Sequence, residues 1–505
     1  AYDILFGYWS SDVCSSDLIL SVGCVPFLEL GFTPTTWSTM QERLATEPQG
    51  DLRWKINKKK PGSPACYPPK DIGLWVELAN RCLHHLREVF GEKVKDWPVE
   101  LWNEPDIGYF KGSVDEYNAL WEPTYKICKK LGMKIVGGPS LAGSEEFLAK
   151  FLKYCQQTNT LPDFISYHVK AGHEPDLDKG GANTFVMWSR FLRLRDAIPA
   201  ELRHLPIWIT EFDPITGCEN GIVDGANWAF HNQAYYAAWL GKMCYMLVNL
   251  QQSIGIDDQE EDEDIEPAEF DAIFNDNHHI TGETAPFYGA RCLTTPIWVE
   301  RTSNPTTPSS GDPAELMEKK IADLNRKALE YPALQAAIED LQNREYIPKH
   351  VEHYERRVLV KPIFRAMEYT RGLRGKYLSF SDPRQNIYGA ISHNNQEICI
   401  VIVNQTDPIA PSPPAACSFK IKLKETKSMD LVESARIDSQ SANPFEVWQN
   451  MGSPFEIKQT QWNELETSTQ AKPVEITDFA ITPLEITFKI QMEGHSFHYL
   501  KFLEK

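Results

Sequence analysis

Two strings, Leu101-Trp102-Asn103-Glu104-Pro105-Asp106 and Trp208-Ile209-Thr210-Glu211-Phe212, decide how this chain is read. Each sets one carboxylate at the C-terminal end of a short apolar run that reads as a buried strand. Working outward, strand-like and helix-like segments alternate. Residues 24–30, 97–103, 134–138, 163–168 and 206–212 read as strands, with a weaker one at 245–250. Asp71 caps a helix whose apolar face runs through Trp75, Ala79, Cys82, Leu83, Leu86 and Phe90. Ser113 and Glu116 form a capping box before a helix that Gly132 closes. Further helices are expected over 145–156, 183–198 and 226–244. Such alternation builds a parallel sheet. No Gly-rich phosphate loop follows a strand, which weighs against a nucleotide-binding doubly wound sheet. The expected fold is α/β: a (β/α)8 TIM-type barrel lacking its first strands, followed by an all-β sandwich. Catalytic groups of such barrels collect at the C-terminal ends of the strands.

The rest of the chain divides by composition. Residues 10–18 nearly repeat themselves and fit no neighbouring element, so 1–20 reads as a non-native leader ahead of a truncated barrel. The catalytic barrel is expected over 21–300. The acidic run at 257–264 reads as a solvated loop, since its spacing matches no calcium loop. Residues 301–360 read as an inserted segment, with a Pro/Ser/Thr-rich linker at 303–312 and exposed amphipathic helices over 312–346. The last barrel helix is expected at 361–375. From 376 to 505 short alternating strands at 387–392, 399–403, 419–423, 484–490 and 497–502 suggest the sandwich.

A net charge of −19 argues against nucleic acid and anionic membranes, which both need basic surface. No apolar run reaches the roughly 18 residues of a membrane span. Eleven cysteines, odd in number and without a CxxC pair, read as reduced thiols. Fourteen Trp and nineteen Tyr serve either core packing or stacking against sugars. His84, His85, His278 and His279 have no partners at metal-ligand spacing.

Two glutamates on separate strands of one barrel are the equipment for cleaving an acetal. A retaining site holds its two carboxyls about 5–5.5 Å apart, one as acid/base and one as nucleophile. Glu104 is the expected acid/base and Glu211 the expected nucleophile. The Asn103 amide could donate to a sugar 2-hydroxyl. Trp102 and Phe212 flank the glutamates, either packing or touching sugar. This chemistry needs no metal and no cofactor.

The motifs also carry a family resemblance. Phe27-Leu28-Glu29-Leu30-Gly31-Phe32-Thr33-Pro34, Trp97-Pro98 with Glu100-Leu101-Trp102-Asn103-Glu104-Pro105, Val136-Gly137-Gly138-Pro139, Asp163-Phe164-Ile165-Ser166-Tyr167-His168 and Ile209-Thr210-Glu211-Phe212 occur in order. They resemble the third to seventh strands of glycoside hydrolase family 39, a clan-A family of β-xylosidases and α-L-iduronidase. Lys361-Pro362 with Phe364 is similar to the start of its last barrel helix, and Gly494-His495-Ser496-Phe497-His498 to its accessory sandwich. The resemblance implies substrate contacts from His168, Phe32, Asn103 and Trp102. Lys170 stands where the family usually has a tyrosine; it could lie beside Glu211, point outward or bind an acidic sugar. The implied function is a retaining exo-glycosidase acting on an oligosaccharide or glycoside, foremost a β-xylosidase on xylo-oligosaccharides. The alternatives are an α-L-iduronidase-like or other family glycosidase, or an inactive carbohydrate-binding barrel.

Overall fold

Local signals set the helices. The Asp71 carboxylate accepts from the amides of Gly73 and Leu74 and starts the helix Ile72–Phe90, which buries Trp75, Ala79, Cys82, Leu83 and Leu86. Ser113 and Glu116 close a capping box on the helix Val114–Leu131, and Gly132 ends it at φ 74°. The computed structural model describes residues 16–46 (without 18 and 22), 62–137, 144–170, 183–214, 226–257, 270–275, 286–302 (without 288 and 290) and 353–505 (without 395, 410, 411 and 424–427). Residues 1–15, 258–264, His278, His279 and the expected linker and helices over 303–346 lie outside the described residues.

The chain forms two compact units. The first comprises Ala1–Ala171, Thr184–Asp213 and Asp257–Asp276. The second comprises Gly172–Asn183, Pro214–Ile256 and Asn277–Lys505.

The first unit holds a six-stranded sheet in sequence order: β1 (Leu28–Leu30), β2 (Pro98–Leu101), β3 (Lys134–Gly137), β4 (Phe164–Lys170), β5 (Ile207–Asp213) and β6 (Phe270–Asn275). Every neighbouring pair is parallel. The helices Ile72–Phe90, Val114–Leu131, Glu145–Thr158 and Thr184–Ala197 pack in succession against one another. Gly137 ends β3 where a Cβ would come within 2.7 Å of the Phe151 and Trp121 rings, so a side chain there would push the helices off the strand.

This sheet is strongly curved. In a flat sheet β1 and β5 would lie about 19 Å apart, four steps of about 4.8 Å. Yet Phe27, directly before β1, meets Trp208 of β5 with ring centroids 5.9 Å apart. Trp208 in turn meets Phe164 of β4 at 4.1 Å. These three rings form an apolar layer on the concave face.

One expected strand is corrected. Residues 245–250 belong to the helix Ala234–Asp257, and β6 lies further on at Phe270–Asn275. A short apolar run has no period that separates strand from buried helix. Here Tyr236, Ala237, Trp239, Leu240, Met243, Met246, Leu247 and Val248 are all buried, so the helix shows little amphipathic contrast.

In the second unit, β7 (Thr294–Glu300) pairs antiparallel with β8 (Tyr354–Val360). Pro362 opens the helix Pro362–Thr370 at the place expected for the last barrel helix. There follow β9 (Lys376–Asp382), β10 (Ile387–His393), β11 (Glu397–Asn404), β12 (Ala415–Lys422), β13 (Met429–Ile437), β14 (Glu456–Ile457), β15 (Ile476–Thr482), β16 (Glu485–Met492) and β17 (Ser496–Glu504). One sheet runs β13-β17-β11-β10-β9 and another β12-β16-β15. They enclose a core of Ile400, Ile402, Leu500 and Phe502 from the first sheet and Ile486, Phe488, Ile490 and Met492 from the second. This is the expected sandwich, with β9, β13 and β15 added. Among the described cysteines, Cys82, Cys128, Cys155, Cys292, Cys399 and Cys417 are buried.

His498, central in β17, is buried with neither ring nitrogen hydrogen-bonded among the described residues. Burial, reinforced by the Arg436 guanidinium, pushes it down from 6.5 to about 3. A folded-state value below the unfolded one gives stability that is complete above pH 6.5 and lost as pH falls toward 3. His498→Phe should therefore remove on the order of 2–3 kcal/mol of the loss between pH 7 and 4.5. Urea unfolding followed at both pH values checks this; equal losses in variant and wild type would contradict it.

Candidate active site

The strand ends carry the site, and the backbone is shaped to present it. β2 stops at Leu101, and the chain then turns through positive φ at Trp102 (68°) and Glu104 (42°). Left-handed backbone at non-glycine residues is strained and clusters at functional positions. The Trp102 amide donates to Leu30 O at 2.7 Å, and its indole Nε1–H donates to Tyr109 O at 2.8 Å. These bonds hold the turn that swings Glu104 over the sheet.

On β4 the alternation of a strand puts Phe164, Ser166, His168 and Lys170 on one face. On β5 the register with β4 slips by one residue: Tyr167 pairs with Ile209, but His168 pairs with Glu211. The slip lets Thr210 and Glu211 both reach the concave side.

These elements bring Glu104, His168, Lys170 and Glu211 together. His168 Nδ1 lies 2.8 Å from Glu104 Oε1 and 3.4 Å from Glu211 Oε2. Lys170 Nζ lies 2.9 Å from Glu211 Oε2. One oxygen of each carboxylate and the imidazole nitrogen all fall within 4.8 Å of one another. Such donors could share a cation, but His168 and Lys170 already supply positive charge there. Glu104, His168 and Lys170 are buried, while Glu211 is partly exposed.

A second polar layer lies deeper. Buried Glu100 of β2 accepts from Ser166 Oγ at 2.6 Å and Thr210 Oγ1 at 3.3 Å. Glu29 of β1 pairs with Glu100 in register, so the two share a face. Burial pushes the Glu29 carboxyl up to about 8, with help from the charges of Glu100 and Glu211. Burial likewise carries Glu100 up to about 7, against the pull of His168 and its hydrogen bonds. For His168, burial acts downward, but the carboxylates of Glu211, Glu104 and Glu100 outweigh it and raise the ring to about 10.

The remaining candidates sit at varying distance from this cluster. Asn103, next to Glu104, is half-buried, and its Oδ1 is buried without a hydrogen-bond partner among the described residues. The Trp102 ring is wholly buried between Phe32, Trp75 and Phe110, with centroids 5.4, 6.5 and 4.9 Å away. Phe32 is buried in the same aromatic group. Glu29, Glu100, Ser166 and Thr210 were not singled out from sequence. The signal existed, since Glu29 and Glu100 are charges inside apolar strands, where an acid is costly.

Comparison with known proteins adds the family. Residues 5–278 match the model of glycosyl hydrolases family 39. The chain belongs to that family. It is a glycoside hydrolase. Among its relatives, a β-xylosidase of Caldicellulosiruptor saccharolyticus is 23% identical over 490 residues, spanning 95% of this chain and 80% of that protein. A β-xylosidase of Geobacillus stearothermophilus is 30% identical over 240 residues, 45% of this chain and 44% of that protein. Among solved structures, a bacterial orthologue of human α-L-iduronidase matches with a TM-score of 0.66 at 16% identity, covering all of this chain and 74% of that one. A family 39 β-xylosidase from Caulobacter crescentus matches at 0.57 and 17% identity, covering 99% and 83%. At these identities the structures establish likeness of fold, a TIM barrel with an added β-domain.

The raised His168 value has a definite sign. Lying above the unfolded 6.5, it gives stability that is complete below that pH and lost as pH rises through about 10. His168 should thus remain doubly protonated throughout pH 6–8. NMR of the histidine-labelled chain reads this directly, and a His168 titration midpoint below 7.5 would contradict the charge arrangement.

Proposed function

We propose that this glycoside hydrolase is a retaining exo-acting β-xylosidase, with Glu104 as acid/base and Glu211 as nucleophile. The observation that carries the reading is the approach of the two carboxylates, an oxygen of each within 4.8 Å of the other. That approach suits the about 5–5.5 Å of retaining sites better than the roughly 6.5–9.5 Å of inverting ones. In the same reading the curved sheet is part of a (β/α)8 barrel, the segment 301–360 is an insertion, and 376–505 is an accessory sandwich.

The proposed reaction follows from the geometry. Glu104 delivers to the leaving oxygen a proton drawn from its hydrogen bond with His168 while Glu211 attacks the anomeric carbon, giving a glycosyl ester. Water then attacks that ester with Glu104 as base. Lys170 holds Glu211 in place through its 2.9 Å contact. His168 donates to Glu104 and fixes its rotamer. The Asn103 amide serves the sugar 2-hydroxyl, whose hydrogen bond strengthens as positive charge develops. Trp102 and Phe32 back the turn that carries Glu104.

The β-xyloside assignment draws on the two β-xylosidase relatives. Two basic groups in the site also suit an acidic sugar, so aryl α-L-iduronide is the competing substrate. Glu211→Ala should lower turnover of an aryl β-xyloside at least about 10³-fold. Azide should restore it, yielding a glycosyl azide of inverted configuration. Glu104→Ala should keep turnover only for substrates with good leaving groups. Wild-type rates in both variants would sink the assignment. Preference for the iduronide would move the substrate, and sugar binding without turnover of any glycoside would leave a binding protein.

A further inference from the structure

The catalytic assignment leaves unexplained why a fully buried acid should sit beneath it. Glu100 is 2% exposed, and one of its oxygens, Oε1, serves two hydroxyls on two other strands. Those hydroxyls are well placed to matter. Ser166 lies two residues before His168 on the same face of β4. Thr210 is the extra residue of the β5 bulge: against β4 the register passes from Ile209 to Glu211, and against β6 from Ile209 to Phe212. Without a bulge, simple alternation would send Trp208 inward, Ile209 outward, Thr210 inward and Glu211 outward. With it, Glu211 faces His168. Bulges are the means by which strands re-aim a side chain beside a site.

We propose that Glu100 is a positioning residue, which pins the β5 bulge through the Thr210 hydroxyl and ties it to β4 through Ser166, so that Glu211 is aimed at Glu104. The inference rests on the hydrolytic reading for its kinetic consequence, but its structural core concerns only β2, β4 and β5. Glu100 touches no substrate; it acts through Thr210 on the direction of Glu211. A carboxylate accepts two hydroxyl donors at one oxygen without itself donating. A glutamine amide oxygen keeps that capacity, and a leucine loses it.

Three variants of the full chain, Glu100→Leu, Glu100→Gln and Thr210→Val, separate the possibilities. With an aryl β-xyloside, Glu100→Leu should lose about 100-fold in kcat with KM within about twofold, the cost of a misplaced reacting group. Glu100→Gln should stay within about tenfold of wild type. Hydrogen exchange of the amides at 210–212 should accelerate in Glu100→Leu and in Thr210→Val, and not in Glu100→Gln. The proposal is overturned if Glu100→Leu folds, keeps kcat within about threefold and leaves exchange unchanged. It is also overturned if Glu100→Gln is as damaged as Glu100→Leu, because the lost charge would then be the cause. If Glu100→Leu fails to fold, the same criteria apply to Thr210→Val. If the wild type turns over no glycoside, the functional reading fails on its own, and the exchange measurement alone decides this one.

Discussion

An imidazolium held between two carboxylates is the contact on which this site depends. Glu104 and Glu211 come from strands three positions apart, and bringing their charges together costs repulsion that His168 offsets from the middle. Burying that ring is itself unfavourable, so the charges must be fully paired to be tolerated. Lys170 adds a second cation on Glu211. Against two cations stand four carboxyls: Glu29, Glu100, Glu104 and Glu211. The excess is resolved in the deeper layer, where Glu29 and Glu100, raised to about 8 and 7, hold protons around neutrality.

The same convergence constrains the fold. Glu100 of β2 bonds Thr210 of β5, although a flat sheet would separate those strands by about 14 Å. Curvature is set below by the Phe27, Phe164 and Trp208 rings, which fill the concave side with apolar volume. Strain is stored above that layer, in the left-handed turn at Trp102 and Glu104, at about 1–2 kcal/mol per residue. The aromatic group around Trp102 is what makes this tolerable, since a wholly buried indole with a satisfied N–H leaves the turn no alternative. A rigid base beneath a strained turn at the strand end is an arrangement suited to precise placement of reacting groups.

Where the pattern was local, the sequence was legible. The Asp71 cap, the Ser113–Glu116 capping box and the Gly132 stop each act within one turn of helix, and each is found where expected. The approach of Glu104 to Glu211 was legible because strand ends of parallel sheets face one place, whereas the His168 bond to Glu104 was not, since His168 was expected to face substrate. The helix through 245–250 was not, because a segment buried on all sides loses its period. The bulge at Thr210 was invisible for a different reason. It depends on a hydrogen bond to Glu100, 110 positions away in sequence, and no window along the chain holds both residues. Trp102 shows the converse limit: a tryptophan beside the proposed acid suggests sugar stacking, yet here its ring is spent on packing.

The deeper carboxyls also bear on the proposed double displacement. Forming an ester at Glu211 removes one negative charge, and the proton given to the leaving oxygen removes one positive charge from the His168–Glu104 pair. The net charge of the set is therefore kept, and only its distribution moves. The charge of Glu211 is, however, one of the causes that raise both Glu29 and Glu100. Losing it relaxes one cause of those raised values, while burial, the largest, stays. The deeper acids thus keep their place through both displacements, and Glu100 contributes through the hydrogen bonds it accepts from Thr210 and Ser166 rather than through its charge.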